Sequence, residues 1–73
     1  MNANDVILSG RARDLCAKLG ILHDDLRKAR AGPTSSWEGR EYFVVTGNLP
    51  DGQPVEMKCR HDHRNYIVTF RPR

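Results

Sequence analysis

The spacing of apolar residues changes once along this chain, at about Trp37, and this change limits the possible folds more than any other feature. Before it, apolar residues recur every three or four positions, as they do on one face of a helix. After it they alternate with polar residues, as in strands that bury one face. Two helices followed by a run of strands predict an α+β domain, with both N-terminal helices packed on one face of a three- to four-stranded antiparallel sheet.

The first half of the chain carries clear helix boundaries. Val6-Ile7-Leu8 is a short β-compatible run that is either an edge strand or a lead into the first helix. Ser9 is a favourable N-cap for that helix, and Gly20 supplies the left-handed residue with which helices commonly end. A second helix is predicted between the acids Asp24-Asp25 and the stop at Gly32-Pro33.

The second half is predicted to be a meander of strands. Residues 34–36 are expected to be a linker, and Trp37 is a candidate for a further short strand. Strands are predicted over residues 41–46, 54–60 and 66–70, joined by a loop at 47–53 and a polar turn at 61–65. The whole chain, residues 1–73, is expected to form a single domain, since this length suits one small core.

Alternation predicts which side chains of the last two strands face the core. Val55, Met57 and Cys59 should face one way, and Glu56 and Lys58 the other. In the final strand Tyr66, Val68 and Phe70 are expected to share a face, with Phe70 in the core. Ile67, Thr69 and Arg71 are then the outward set.

Positive charge is concentrated at the C-terminal end of the chain. The protein has 12 Lys and Arg residues against 9 Asp and Glu, and residues 57–73 hold five of these bases and one acid. Nine of the bases are Arg, whose planar fork suits bidentate contact with phosphate. The pattern favours a polyanionic partner, although a small positive charge also serves simply to keep a protein soluble.

Other sequence features indicate the cellular compartment and bear on membrane and metal binding. The two cysteines, Cys16 and Cys59, form no Cys-x-x-Cys pair, as is typical of a reducing compartment, and we expect a cytoplasmic protein. The longest apolar run, residues 42–45, is too short to cross a membrane, so no membrane partner is expected. The series Cys59-x-His61-x-His63, with His23 as a conceivable fourth ligand, gives only a weak zinc signal. A polar turn explains it better, and no metal or other cofactor is expected.

The residues that could carry chemistry cluster near the C-terminus. Cations neutralise phosphates and aromatic rings offer stacking surfaces, a combination typical of proteins that bind single-stranded RNA. The basic and aromatic residues that form this combination are Lys58, Arg60, His61, His63, Arg64, Tyr66, Phe70 and Arg71.

Three short motifs follow one another along the chain: Val6-Ile7-Leu8-Ser9, Leu19-Gly20-Ile21 and the closing Ile67-Val68-Thr69-Phe70-Arg71-Pro72. Their order resembles a family of small bacterial domains of unknown function related to the RelE-type ribonuclease toxins, and hence the barnase, colicin and RelE-like superfamily. The resemblance covers about residues 6–72. The sequence departs from the family in the first helix, where Arg11 replaces a histidine, and Leu15 and Leu19 replace arginines.

The resemblance implies a RelE-like fold and a metal-independent endoribonuclease, or a relative that has lost catalysis, with RNA and an antitoxin-like protein as partners. Metal-free RNA cleavage needs a base, an acid and cations around the phosphate. The candidate catalytic residues are Arg11, His61, His63 and Thr69, and the candidate RNA-binding residues are Lys58, Arg60, Arg64 and Arg71. The alternative is a protein–protein interaction module or a small homodimer that binds through an exposed sheet edge.

Overall fold

A computed structural model describes residues 5–73 of the chain. Its elements are the strand β1 (Ile7–Leu8), the helices α1 (Gly10–Leu19) and α2 (His23–Ala31), and the strands β2 (Ser35–Glu38), β3 (Phe43–Asn48), β4 (Pro54–Cys59) and β5 (Tyr66–Pro72). The α+β class with two N-terminal helices is confirmed. All five strands form one sheet in the order β1-β5-β4-β3-β2.

The sheet differs from the prediction in its number of strands and in their direction. Within residues 5–73 it has five strands rather than three to four, and it is mixed rather than purely antiparallel, because β1 pairs with β5 in parallel. This pairing joins Ile7 to Tyr66 and Leu8 to Ile67. A strand of two residues is defined by its pairing with a distant strand, so its own sequence predicts it only weakly.

The bounds of the other strands shift by a few residues. The expected linker at 34–36 is wrong for Ser35 and Ser36, which belong to β2 and pair with β3, while Thr34 lies outside the strand. The prediction that Trp37 adds a strand is confirmed. The third strand begins at Phe43 instead of residue 41 and runs through Gly47 to Asn48, which were expected to be a loop.

Both helices cover the same face of the sheet, where the core lies. Ser9 caps α1 through a hydrogen bond from the Ala12 backbone N–H to its Oγ, 3.1 Å apart, and Gly20 ends α1 with φ +69°. α1 packs mainly on β5, and α2 on β3. The buried cluster joins helix residues to inward strand residues, among them Ala12, Cys16, Leu26, Ala29, Phe43, Val45, Val55, Met57, Cys59, Ile67 and Phe70.

The faces of β5 correct part of the prediction. Phe70 is buried as expected, but Ile67, predicted to point outward, is fully buried. The reason is a register shift against β4: Lys58 pairs with Thr69 while Cys59 pairs with Ile67, which leaves Val68 as an extra residue. Such a β-bulge interrupts the simple alternation. Tyr66 and Val68 therefore do not share a face with Phe70.

Candidate nucleic-acid interface

The face of the sheet opposite the helices is the open face, and β4 and β5 place three of the candidate residues on it. Since Val55, Met57 and Cys59 point into the core, Glu56 and Lys58 point to the open face, as predicted. Thr69 lies directly across from Lys58, and Arg71 directly across from Glu56. A groove of about 270 Å³ is lined by Glu56, Lys58, Thr69, Phe70 and Arg71.

Aromatic rings lie beside two of the open-face cations. The Lys58 ammonium is 5.7 Å from the centre of the Tyr42 ring. The guanidinium carbon of Arg60 is 5.4 Å from the centre of the Tyr66 ring, and the Arg60 N–H donates to the Tyr66 carbonyl oxygen at 3.1 Å, which extends the β4–β5 ladder by one pair. We call the set Lys58, Arg60, Arg71, Tyr42 and Tyr66 the open-face strip. It presents alternating charge and ring surface to solvent.

Further apolar surface borders the strip. Trp37 on β2 pairs with Val44, and Ile7 on β1 pairs with Tyr66, so both lie on the open face at opposite edges of the sheet. Trp37 is 45 % exposed and Ile7 39 % exposed. The open face therefore combines cations at its centre with exposed apolar side chains on both edges.

One cation of the strip is held by an acid. Both the Nε and the Nη2 groups of Arg60 donate to the Asp62 carboxylate, at 2.9 and 2.7 Å. These hydrogen bonds lower the pKa of Asp62 below its ordinary value, so the carboxylate is ionised at neutral pH. Arg60 is thus fixed over the Tyr66 ring, but part of its charge is neutralised.

Arg64 is separated from the other candidate RNA-binding residues. Its guanidinium carbon lies 4.2 Å from the centre of the Phe43 ring, which faces the helix-side core, and it forms an ion pair with Glu38. Arg30 of α2 donates from Nε to the Arg64 carbonyl oxygen at 3.2 Å. The side chain therefore belongs to the helix side of the molecule, whereas Lys58, Arg60 and Arg71 share the open face.

The four candidate catalytic residues are not joined into one cluster. Arg11 is exposed in the first turn of α1, and no hydrogen bond or ion pair within residues 5–73 involves its side chain. His61 Nε2 donates to the Gly39 carbonyl oxygen at 3.1 Å, and the His63 ring meets Tyr66 edge-on with centres 6.3 Å apart. Thr69 lies on the open face across from Lys58. Arg60 and Arg71 lie on the open face and Arg64 on the helix side, so these three cations do not gather in one place beside Arg11.

The residues of the weak zinc signal point apart. Cys59 is fully buried in the helix-side core, and burial raises the pKa of its thiol, with a smaller opposing effect from Arg30. His61 and His63 lie in the exposed β4–β5 turn, and His23 donates from Nε2 to the Val6 carbonyl oxygen at 2.7 Å. Across residues 5–73, no group of three His, Cys, Asp or Glu residues is placed to hold a metal ion.

Sequence reasoning assigned no functional role to three residues of the open face. In the sequence, Tyr42 belongs to an apolar run, Trp37 marks a short strand, and Glu56 is an outward polar residue of β4. Tyr42 joins the strip because the β3–β4 register sets Phe43 against Cys59, which places the preceding residue beside the outward side of β4. The alternation along β4 predicts that Lys58 points outward. It does not predict the register between β3 and β4, which brings Tyr42 beside Lys58.

No family model, curated protein or solved structure matches this chain significantly. Within residues 5–73, neither helix has the length and apolar character needed to cross a membrane.

Proposed function

We propose that this domain binds single-stranded RNA across the open face of its sheet. The observation that carries the proposal is the open-face strip, in which Lys58 and Arg60 each lie against an aromatic ring and Arg71 lies one row away. Surfaces that combine a cationic track with stacking rings bind single strands with little sequence preference.

The spacing of the cations suits an extended strand. Arg60 lies two residues after Lys58, immediately beyond the end of β4, and this extended spacing corresponds to about 7 Å. Arg71 is the third cation and lies on β5. It is across from Glu56, which is two residues from Lys58 along β4. Phosphates held at these positions draw the two cations away from the rings of Tyr42 and Tyr66 that they cover, so bases can stack on these rings and on the edge residue Trp37. Each stacked base contributes about 1–3 kcal/mol.

A RelE-like ancestry is part of the proposal. It is supported by the two helices that precede the main strands and by the closing segment Ile67-Val68-Thr69-Phe70-Arg71-Pro72, which forms most of β5. Cleavage is a separate matter, since a general base must come within about 3 Å of the proton that it removes. Incubation of labelled RNA in EDTA with the wild type and with an Arg11→Ala, His63→Ala double variant tests it. Equal cleavage by both proteins would exclude an active site at these residues.

RNA binding is tested by fluorescence anisotropy with labelled oligouridine over a range of salt concentrations. Each phosphate contact contributes about 0.7 to the slope of log affinity against log salt for a single strand. Lys58→Ala and Arg71→Ala should each weaken binding and reduce this slope by about that amount.

The chain offers matched controls for both substitutions. Lys18→Ala and Arg13→Ala remove the same charges from exposed positions on α1, on the far side of the sheet. These two variants should bind almost as the wild type does. Equal losses in all four variants would mean that net charge alone attracts RNA, and no binding at low salt would refute the proposal.

The rival function is a protein interaction module, and one observation favours it. All four residues of β2, Trp37 among them, are exposed at the sheet edge, and such an edge accepts a strand from another protein or from a second copy of the chain. An antitoxin-like protein or a homodimer would use this edge. Ultracentrifugation of the wild type and of a Ser36→Pro variant distinguishes a dimer through β2 from a monomer.

A further inference from the structure

Among residues 5–73, Glu56 is the one acidic residue at a strand position of the open face. Its side chain is only 22 % exposed, and its carboxylate approaches Arg73 Nε at 3.8 Å, which is too long for a hydrogen bond. No hydrogen bond from residues 5–73 reaches this carboxylate. An ionised carboxylate accepts several hydrogen bonds, so Glu56 presents unused acceptor capacity to the groove.

The neighbours of Glu56 are groups suited to phosphate. Lys58 follows it two residues along β4, and Arg71 lies directly across from it on β5. All three line the 270 Å³ groove, together with the Thr69 side chain. A carboxylate repels phosphate, so the part of a bound strand that faces Glu56 must donate a hydrogen bond.

In a strand whose phosphates lie at Lys58 and Arg71, the sugar between these phosphates is the part nearest to Glu56. RNA carries a 2′-hydroxyl donor on that sugar, and DNA has none. We infer that the Glu56 carboxylate accepts a hydrogen bond from a ribose 2′-hydroxyl and thereby makes the domain selective for RNA over DNA. The inference rests on the proposed function, because it requires a strand bound along the open face.

The selectivity is measured with three ten-nucleotide strands: oligouridine, oligo(2′-deoxyuridine) and oligo(2′-fluorouridine). The base is the same in all three, so base contacts cancel, and the fluorinated sugar lacks the donor while remaining small. The wild type should bind oligouridine about tenfold more tightly than either of the others, as expected for one hydrogen bond to a charged group.

Two substitutions assign the selectivity to Glu56. Glu56→Ala should bring the ratio of RNA to DNA affinity close to one, chiefly by raising the affinity for DNA, because a repulsive charge is removed. Glu56→Gln keeps the shape and one acceptor and should give an intermediate ratio. Asp14→Ala removes an equal charge from an exposed position on α1 and should leave the ratio as in the wild type.

The outcomes separate this inference from the proposed function. Equal wild-type affinity for the three strands, or a ratio that survives in Glu56→Ala with its circular dichroism unchanged, would overturn the inference but leave RNA binding intact. Failure of every strand to bind would overturn the proposed function itself. A 2′-fluoro strand that binds as tightly as oligouridine would show that the hydroxyl is not the group recognised.

Discussion

At the scale of single residues, Gly47 shows how closely the helix layer approaches the sheet. A Cβ atom at this position would lie 2.2 Å from the Ala29 carbonyl oxygen, a backbone atom of α2 that cannot move aside on its own. Only glycine therefore allows α2 to rest directly on β3. From the sequence, Gly47 is predicted to be a loop residue. A glycine is uncommon in strands, and the sequence does not show that a helix packs against it.

Gly47→Ala should lower the free energy of unfolding by about 2 kcal/mol or more, since overpacking forces the backbone apart. Urea unfolding followed by circular dichroism measures this loss. Gly10→Ala is the control, because no atom lies within 4 Å of its added Cβ and alanine favours the helix. A Gly47→Ala protein as stable as the wild type would mean that α2 does not rest on β3 in this way.

Asp62 is the second residue with a testable effect, since it holds Arg60, a cation of the proposed RNA site, in an ion pair. Its pKa is lowered by the two hydrogen bonds from Arg60, so at neutral pH it is charged and paired. Asp62→Asn should strengthen oligouridine binding about threefold, because an exposed ion pair that restrains one cation is lost. Anisotropy measures the change, with Asp14→Asn as the charge control. Weaker binding by Asp62→Asn would instead show that Asp62 positions Arg60 for the strand.

At the scale of elements, Ser9 ties α1 to the bulge of β5. Its Oγ accepts from the Ala12 N–H and donates to the Val68 carbonyl oxygen at 2.5 Å. One side chain therefore both caps a helix and satisfies an acceptor of the extra residue in the bulge. The cap was predictable from local sequence, but the contact with Val68 spans 59 positions and depends on the register shift.

Ser9→Ala should destabilise the protein by about 1–2 kcal/mol, the usual range for a lost N-cap, with the larger value expected because a second hydrogen bond is lost. Thermal unfolding checks this, with Ser36→Ala as a control at an exposed position in β2. A loss no greater in Ser9→Ala than in Ser36→Ala would contradict the dual role.

The first turn of α2 provides a prediction for pH. Hydrogen bonds from Arg27 and Lys28 lower the pKa of Asp24 below its ordinary value. A lowered pKa in the folded state stabilises the fold above the unfolded-state pKa of about 4, and this contribution is lost as the pH falls through the folded-state pKa. Asp24→Asn should therefore lower Tm at pH 7 and have a smaller effect at pH 3. An equal effect at both pH values would contradict a role for the charge.

At the scale of the whole molecule, the sequence predicted the helix and sheet layers but not which face of the sheet each C-terminal cation occupies. Helical and alternating patterns gave the α+β arrangement, and the C-terminal concentration of arginines was plain from composition. The pattern could not reveal that Arg64 turns to the helix side, where it meets Phe43 and Glu38, while Lys58 and Arg71 remain on the open face. That division follows from strand register and from the turn at residues 61–65, which are long-range properties.

The most direct test of the account is a map of where RNA contacts the domain, obtained from NMR spectra of methyl groups during titration with oligouridine. The methyl groups of Thr69, Val44 and Ile7 lie on the open face, and those of Ala17 and Leu22 belong to the helix layer. RNA binding across the open face predicts that the open-face signals shift with increasing oligouridine while the helix-layer signals stay in place. Shifts confined to the helix layer would contradict it.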